Sequence, residues 1–351
     1  MKKELLMGTA LVSTLGAASV AEAVTATMSG NHQTGMEFDS PTGGTDTNAQ
    51  INDNNFSISL SETTDGGMTI SSSFKVMDEN AAAGDVDAGF TLAFTDGSKL
   101  DIINAGNASG SHDISVPASA GAEGITVTTS NKAPTGLDFA AGSSVFGVEY
   151  HTAEDFLVDG LKMSFSASTD NGASAGGTYK VDGHYGIGAT YVTTAGDTTV
   201  TLGAGISDTE GSKTPTAPAN DEGGVHIGIS AVTGDLTVAV GFADGDSMET
   251  VTTASGATQE VDGEVMKAGV KYVTGDLTFN VGITSSTGAD NDFGGTSTVD
   301  DSYDKTSASV SYAVASGVTA IIGFSDIESQ NEAASDTQDG SAWYIGANMS
   351  F

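Results

Sequence analysis

Five histidines, His32, His112, His151, His184 and His226, are the only imidazoles in the chain. An imidazole beside carboxylates can hold a metal ion or move a proton. No two of these histidines share a metal-binding spacing, and His151, His184 and His226 fall in alternating runs, where they read as wall or rim residues. Serine and aspartate are so abundant that a Ser-His-Asp set cannot be inferred from co-occurrence, because a triad is a geometry. The absence of cysteine removes thiolate metal sites and disulfides together. Two acidic runs, "DGDSME" from Asp244 and "ADNDFGG" from Ala289, gather hard oxygen donors suited to Ca²⁺ or Mg²⁺. Asp244, Asp246, Asp290 and Asp292 are therefore weak candidates for a structural cation. Neither run has the twelve-residue spacing of an EF-hand loop, and solvated acidic loops describe them equally well. No other cofactor is implied, and the chain reads as non-enzymatic.

Charge narrows the choice of partner. Forty-six acids stand against eleven bases, all of them lysine, for a formal charge of -35. Such a surface repels nucleic acid. The lysines are placed unevenly: Lys75, Lys99, Lys162, Lys180, Lys267, Lys271 and Lys305 lie within or at the start of alternating segments and fall on their polar face. Acids concentrate in the long polar stretches between segments, among them Asp208, Glu210, Asp221, Asp244, Asp246, Asp290 and Asp300. A basic wall with an acidic rim is the layout of a channel.

Those lysines need strands to hold them. From Asp197 the sequence repeats loosely as "AGDTTVTLGAGIS", "TGDLTVAVGFADG", "TGDLTFNVGITSS" and "ASGVTAIIGFSDI", with turn glycines Gly196, Gly234, Gly275 and Gly317 spaced by 38, 41 and 42 residues. Leu236, Val238, Val240 and Phe242 alternate with Thr237, Ala239, Gly241 and Ala243, which is the period of a strand with one apolar face. Each copy follows another alternating run, so the unit is a strand, a tight Gly-containing turn, a strand and a long polar loop. The N-terminal half fits more faintly, with strands expected over 24–38, 56–63, 68–76, 90–94, 99–104, 145–151, 161–168 and 179–192. A repeat of ~41 residues gives eight hairpins, hence sixteen strands.

Residues 1–23 have two lysines, an apolar stretch and an Ala21-x-Ala23 end, the pattern of a secretory signal peptide. The expected organisation is a leader, 1–23, followed by one β domain, 24–351. A soluble sandwich or β-helix of the cell surface, structural or adhesive, also alternates polar and apolar faces. Aromatic sorting separates the readings. Tyr150, Tyr191, Tyr272 and Tyr312 precede short turns, while Phe38, Phe74, Phe165, Phe242 and Phe324 lie toward the long-loop ends. Two aromatic rings at opposite ends of apolar strands match the girdles of a transmembrane barrel.

The motifs "SGNHQTGMEFDS" and "NNFSISLSETTDGGMTISSSFKV", the stretch of about 40 residues from Ala105 to Ser144, and the final "YIGANMSF" resemble the Gram-negative general porins, most closely the alphaproteobacterial type. The resemblance spans the region beyond residue 23. It implies a homotrimer of sixteen-stranded outer-membrane barrels contacting lipid and lipopolysaccharide, with short periplasmic turns and long extracellular loops. It implies that the third long loop folds inward as an eyelet, and that ions and small hydrophilic solutes diffuse through the barrel. In that family, acids of the inward loop face basic wall residues. Here the loop acids are Asp113, Glu123 and Asp138, and the facing bases are the lysines above. The complete absence of arginine departs from the family pattern. The acidic entrance predicts a mild preference for cations; a substrate-selective channel is the nearest alternative. Tyr344, Gly346, Met349 and Phe351 look like the terminal signal read by the barrel-assembly machinery.

Overall fold

A computed structural model describes residues 24–42, 44–78, 89–102, 107–121, 137, 147–169, 180–212, 222–250, 258–288, 300–330 and 337–351. The leader lies outside them. Sixteen strands are present: β1 (Thr25–Pro41), β2 (Thr47–Thr63), β3 (Thr69–Asp78), β4 (Phe90–Ala93), β5 (Lys99–Ile102), β6 (Val148–His151), β7 (Leu161–Thr169) and β8 (Lys180–Ala195) form the first half. The second half comprises β9 (Thr198–Ser212), β10 (Glu222–Thr233), β11 (Leu236–Thr250), β12 (Thr258–Thr274), β13 (Leu277–Gly288), β14 (Asp301–Ala315), β15 (Val318–Gln330) and β16 (Thr337–Ser350). Each pairs antiparallel with its sequence neighbours, and β1 pairs with β16 to close the barrel. No helix of the described residues is long and apolar enough to cross a membrane.

Two local rules build this wall. Every one of the seven short turns contains one glycine at positive φ, from Gly67 to Gly317, a conformation that L side chains adopt only with strain. Between turns, side chains alternate across the sheet. Ile227, Ile229, Val238, Val240, Phe242, Met266, Val270, Phe279, Val281 and Ile283 are exposed on the outside. Their sequence neighbours on the other face are mostly small or polar, namely glycine, alanine, serine, threonine, asparagine, histidine and lysine, with Val265 the apolar exception. An apolar exterior around a polar interior is the inverse of a soluble fold, and closure leaves lipid no open sheet edge to solvate. Tyr150, Tyr191, Tyr272 and Tyr312 face outward at the short-turn end, and the Phe324 and Trp343 rings pack 4.7 Å apart toward the other.

The barrel differs from its sequence pattern in two places. β2 begins at Thr47, nine residues before the expected Phe56, because its first half carries Asn48, Gln50, Asn52 and Asn54 where an apolar outer face was required for recognition. Backbone pairing with β1 proceeds regardless, from Asp39 opposite Thr47 to Thr25 opposite Ser61. The expected loop acids Asp208, Glu210, Asp244 and Asp246 lie within strands that continue past the apolar band. Cross-strand hydrogen bonds need no apolar face once the strand has left the lipid.

Candidate functional site

The short strands β4, β5 and β6 give way to the third long loop, whose described part is residues 107–121 and Leu137. This segment runs along the inside of the wall. It makes a single 3-10 turn at Gly110–His112 and buries Ala108, Ser109, His112 and Ile114. Its path follows a row of lumen-facing glycines: Gly186, Gly188, Gly203, Gly205, Gly228, Gly241, Gly269 and Gly282. A Cβ at each would meet an atom of the loop, or at Gly205 also His226, closer than 3.0 Å. The wall is thus hollowed by the loss of side chains, and the loop lies flush in the groove. Leu137 joins Ala243 and Val265 in an apolar cluster inside the barrel, and burying a leucine side chain is worth about 1.5–3 kcal/mol.

Polar contacts hold the loop at both ends of this path. The Ala108 amide donates to Ser166 Oγ at 3.0 Å, and Ser111 Oγ donates to Glu149 Oε1 at 2.6 Å. His226 Nε2 donates to the Ser109 carbonyl at 3.0 Å, and its Nδ1 lies 3.0 Å from Asp113 Oδ1. Farther on, the Ser119 and Ala120 amides donate to Ser307 and Ser309 hydroxyls at 3.2 and 2.9 Å.

His112 sits in a chain of hydrogen bonds that joins four strands, β8, β7, β6 and β5. Its Nδ1 meets Thr190 Oγ1 at 2.6 Å and its Nε2 meets Ser164 Oγ at 2.8 Å; Ser164 Oγ meets His151 Nδ1 at 2.7 Å, and His151 Nε2 meets Asp101 Oδ2 at 3.0 Å. An ionised carboxylate only accepts, so the chain runs one way: Thr190 hydroxyl to His112, His112 to Ser164, Ser164 to His151, His151 to Asp101. Both imidazoles are then neutral and fully bonded. Burial, reinforced by repulsion from His151, Lys162 and His226, pulls the His112 pKa down to about 4. Asp101 also accepts from Lys99 Nζ at 3.0 Å and from the Thr91 hydroxyl. An Asp-His-Ser order appears here, but Ser164 has no exposed surface and its hydroxyl is shared between two imidazoles, so no substrate can reach it.

The lysines have definite places in the register. Lys75 lies opposite Ser57, Lys99 opposite His151, Lys162 opposite Thr190, Lys267 opposite Thr284, Lys271 opposite Asn280, and Lys305 opposite Thr284. These positions share the parity of the buried serines and glycines of the interior. Lys180 opens β8 opposite Ser212, beside a register shift between Val181 and Gly183. Asp113 acts electrostatically on Lys267, which brings one loop acid to one wall base. Glu123, Asp138, Asp290 and Asp292 lie outside the described residues. Asp244 and Asp246 stand on outward positions opposite Glu264 and Asp262. Among the described residues, the cluster of three metal-competent groups is Asp101, Glu149 and His151 instead.

The four terminal residues divide between two faces. Met349 and Phe351 point outward, whereas Tyr344 is 1 % exposed, points inward over Gly35 and Gly346, and donates to the Thr34 carbonyl at 3.2 Å. Gly35 and Gly346 are paired across the seam between β1 and β16, so the ring covers a stretch of backbone that has no side chain of its own. Phe351 continues the seam, its N–H donating to Gly30 O at 3.1 Å and its carbonyl accepting from Gly30 N–H at 3.0 Å.

A closed, even-stranded antiparallel barrel, apolar outside and polar inside, with a loop laid along its inner wall, is a transmembrane pore. The chain belongs to the Gram-negative porin family, whose model matches residues 8–293, and its place is the bacterial outer membrane. The family and fold are not enzymatic. Solved structures agree on the fold. A porin refined at 1.8 Å is 18% identical, with a TM-score of 0.61 over 93% of this chain and 100% of that one. The anion-selective porin from Comamonas acidovorans is 11% identical, with a TM-score of 0.66 over 93% and 100%. The in-vitro folded trimer form of OmpT from Vibrio cholerae is 12% identical, with a TM-score of 0.61 over 94% and 100%. Among curated proteins, no relative matches the chain.

Proposed function

We propose that this porin is a general diffusion channel, passing ions and small hydrophilic solutes down their gradients with a mild preference for cations. The observation that carries the reading is the seating of the inward loop: it lies along the inner wall, where Asp113 acts electrostatically on Lys267, and narrows the lumen there. The strand extensions carry Asp208, Asp244, Asp246, Asp262 and Glu264 on outward positions, which makes the entrance negative. The interior lysines oppose that field and keep the preference mild. Planar-bilayer recordings test this. Linear, unsaturated conductance with a reversal potential on the cation side is expected; clear anion selectivity, or saturable block by one solute class, overturns it.

The same reading includes a homotrimer. Outward positions on β1 and β2 carry His32, Thr34, Gln50, Asn52 and Asn54 at the level of Met36 and Ile345, inside the apolar band. Amides facing hydrocarbon are costly, so this side of the barrel is the one that other protomers cover. Replacing Gln50, Asn52 and Asn54 with leucine is expected to raise the monomer fraction on unheated gels; an undiminished trimer overturns the assignment. We further propose that divalent ions bridge the outward acids to lipopolysaccharide phosphates; chelation that left barrel stability and conductance unchanged would remove that partner.

A further inference from the structure

We propose that Asp101, Glu149 and His151 form a binding site for a divalent cation of the zinc class on the inner wall of the barrel. The donor atoms are already close: His151 Nε2 lies 3.0 Å from Asp101 Oδ2 and 3.5 Å from Glu149 Oε1, and all three lie within 4.8 Å of one another. A tetrahedral ion with bonds near 2.0–2.2 Å asks for donors about 3.3 Å apart. One imidazole with two carboxylates suits zinc better than the all-oxygen shells of calcium or magnesium. Three protein donors leave the fourth position to water from the lumen.

The surroundings are those of a built site. Glu149 is 2 % exposed and is held by the Ser111 hydroxyl, while His151 Nδ1 is held by Ser164. A metal-bound imidazole must donate its other N–H, and the hydrogen-bond chain permits this without loss. With Nε2 on the metal, His151 Nδ1–H donates to Ser164, Ser164 to His112 Nε2, and His112 Nδ1–H to Thr190. Each group keeps one proton; the three bonds from His151 to Thr190 are remade in the opposite sense, and the fourth, from His151 Nε2 to Asp101, gives way to the metal. The group to be displaced is the Lys99 ammonium, 3.0 Å from Asp101, whose side chain is 40% exposed and has room to swing into the lumen. Lys99 thus stands in for the cation and competes with it. Because Ser111 belongs to the inward loop and Glu149 to the wall, an ion here acts directly on how the loop is held.

Calorimetry with Zn²⁺ on the detergent-extracted, EDTA-stripped full-length barrel tests the proposal without reference to current, so the diffusion reading and this one fail separately. One site per chain is expected. Binding should weaken roughly tenfold or more in His151→Ala and Ser164→Ala, and strengthen in Lys99→Met. Heat-modifiable gel migration shows which variants have closed, and the Lys99→Met gain remains decisive where a loss variant does not fold. Co²⁺ titrated into the same protein should give the intense visible bands of a tetrahedral nitrogen and oxygen site. No zinc binding, or binding as tight in His151→Ala as in the parent, which would be an adventitious ion on the acidic extensions only, overturns the proposal; so does an unchanged affinity in Lys99→Met.

Discussion

Gly269→Ala places one methyl group where the wall is most closely approached. Its three nearest neighbours would all be backbone atoms of Pro117, the carbonyl oxygen, the carbonyl carbon at 2.8 Å and the nitrogen at 3.1 Å. A proline backbone cannot rotate aside, so the loop must lift toward the barrel axis. Overpacking of this kind costs about 1–3 kcal/mol. What holds this half of the loop is the pair of amide bonds from Ser119 and Ala120 to Ser307 and Ser309, each worth about 0.5–1.5 kcal/mol. Strain and tether are therefore comparable in the single variant. Adding Gly282→Ala, whose Cβ would meet Pro117 O at 2.5 Å and Ala118 Cα at 2.9 Å, tips the balance. The barrel itself should be untouched, because the new methyls face the lumen and the ladder between β12 and β13 remains. Single-channel recordings should show a lowered mean current in Gly269→Ala and flicker between levels in the double variant, with normal heat-modifiable migration. Gly66→Ala, where only Thr64 Oγ1 lies near at 3.9 Å, is the control. Parent-like current in the double variant would refute the idea that absent side chains seat the loop.

Acid should release the other half of the loop. His112 has its pKa lowered to about 4 when seated and returns to about 6.5 when freed; the seat is therefore complete above pH ~6.5 and weakens as pH falls toward ~4, by on the order of 2–3 kcal/mol. Conductance steps recorded across that range should lose their single level, and His112→Gln should abolish the pH dependence. At the seam, Phe351→Ala removes the tilted ring contact with Phe56, 6.3 Å between centroids, worth about 0.5–1.5 kcal/mol. Deletion of residue 351 also removes the two bonds to Gly30, so refolding yield should fall further in the deletion, while channels that do close conduct as before. Lys267→Gln with Lys271→Gln should move the reversal potential further toward cations; a shift toward anions would refute the role given to these lysines.

The barrel was legible where its chemistry repeats. Alternation of Leu236, Val238, Val240 and Phe242 with small residues, and glycines at the turns, are local signals, and they identify strands without any knowledge of partners. The start of β2 was not legible, because Asn48 to Asn54 satisfy backbone pairing but break the apolar period that marks a strand. The acids of the strand extensions were hidden for the same reason. The interior network lay further out of reach. His112 meets Ser164 and Thr190 across 52 and 78 residues of sequence, and no spacing rule spans such gaps. One usable signal was present: glycines recurring on the lumen parity of neighbouring strands, as in Gly203, Gly228, Gly241 and Gly269, mark a wall waiting to be filled.

The seam between β1 and β16 sets the order of events in assembly. Eleven residue pairs, Asn31 with Ser350 through Pro41 with Gly340, join segments separated by nearly the whole chain. Bringing such distant ends together costs about 5 kcal/mol in loop-closure entropy alone, and nothing offsets it until the last strand arrives. Until then β1 waits with one row of its amides and carbonyls unpaired. A polymer built this way cannot mature by increments: it is a ring or it is an aggregation hazard, and the exposed edge of β1 sets how long that hazard lasts.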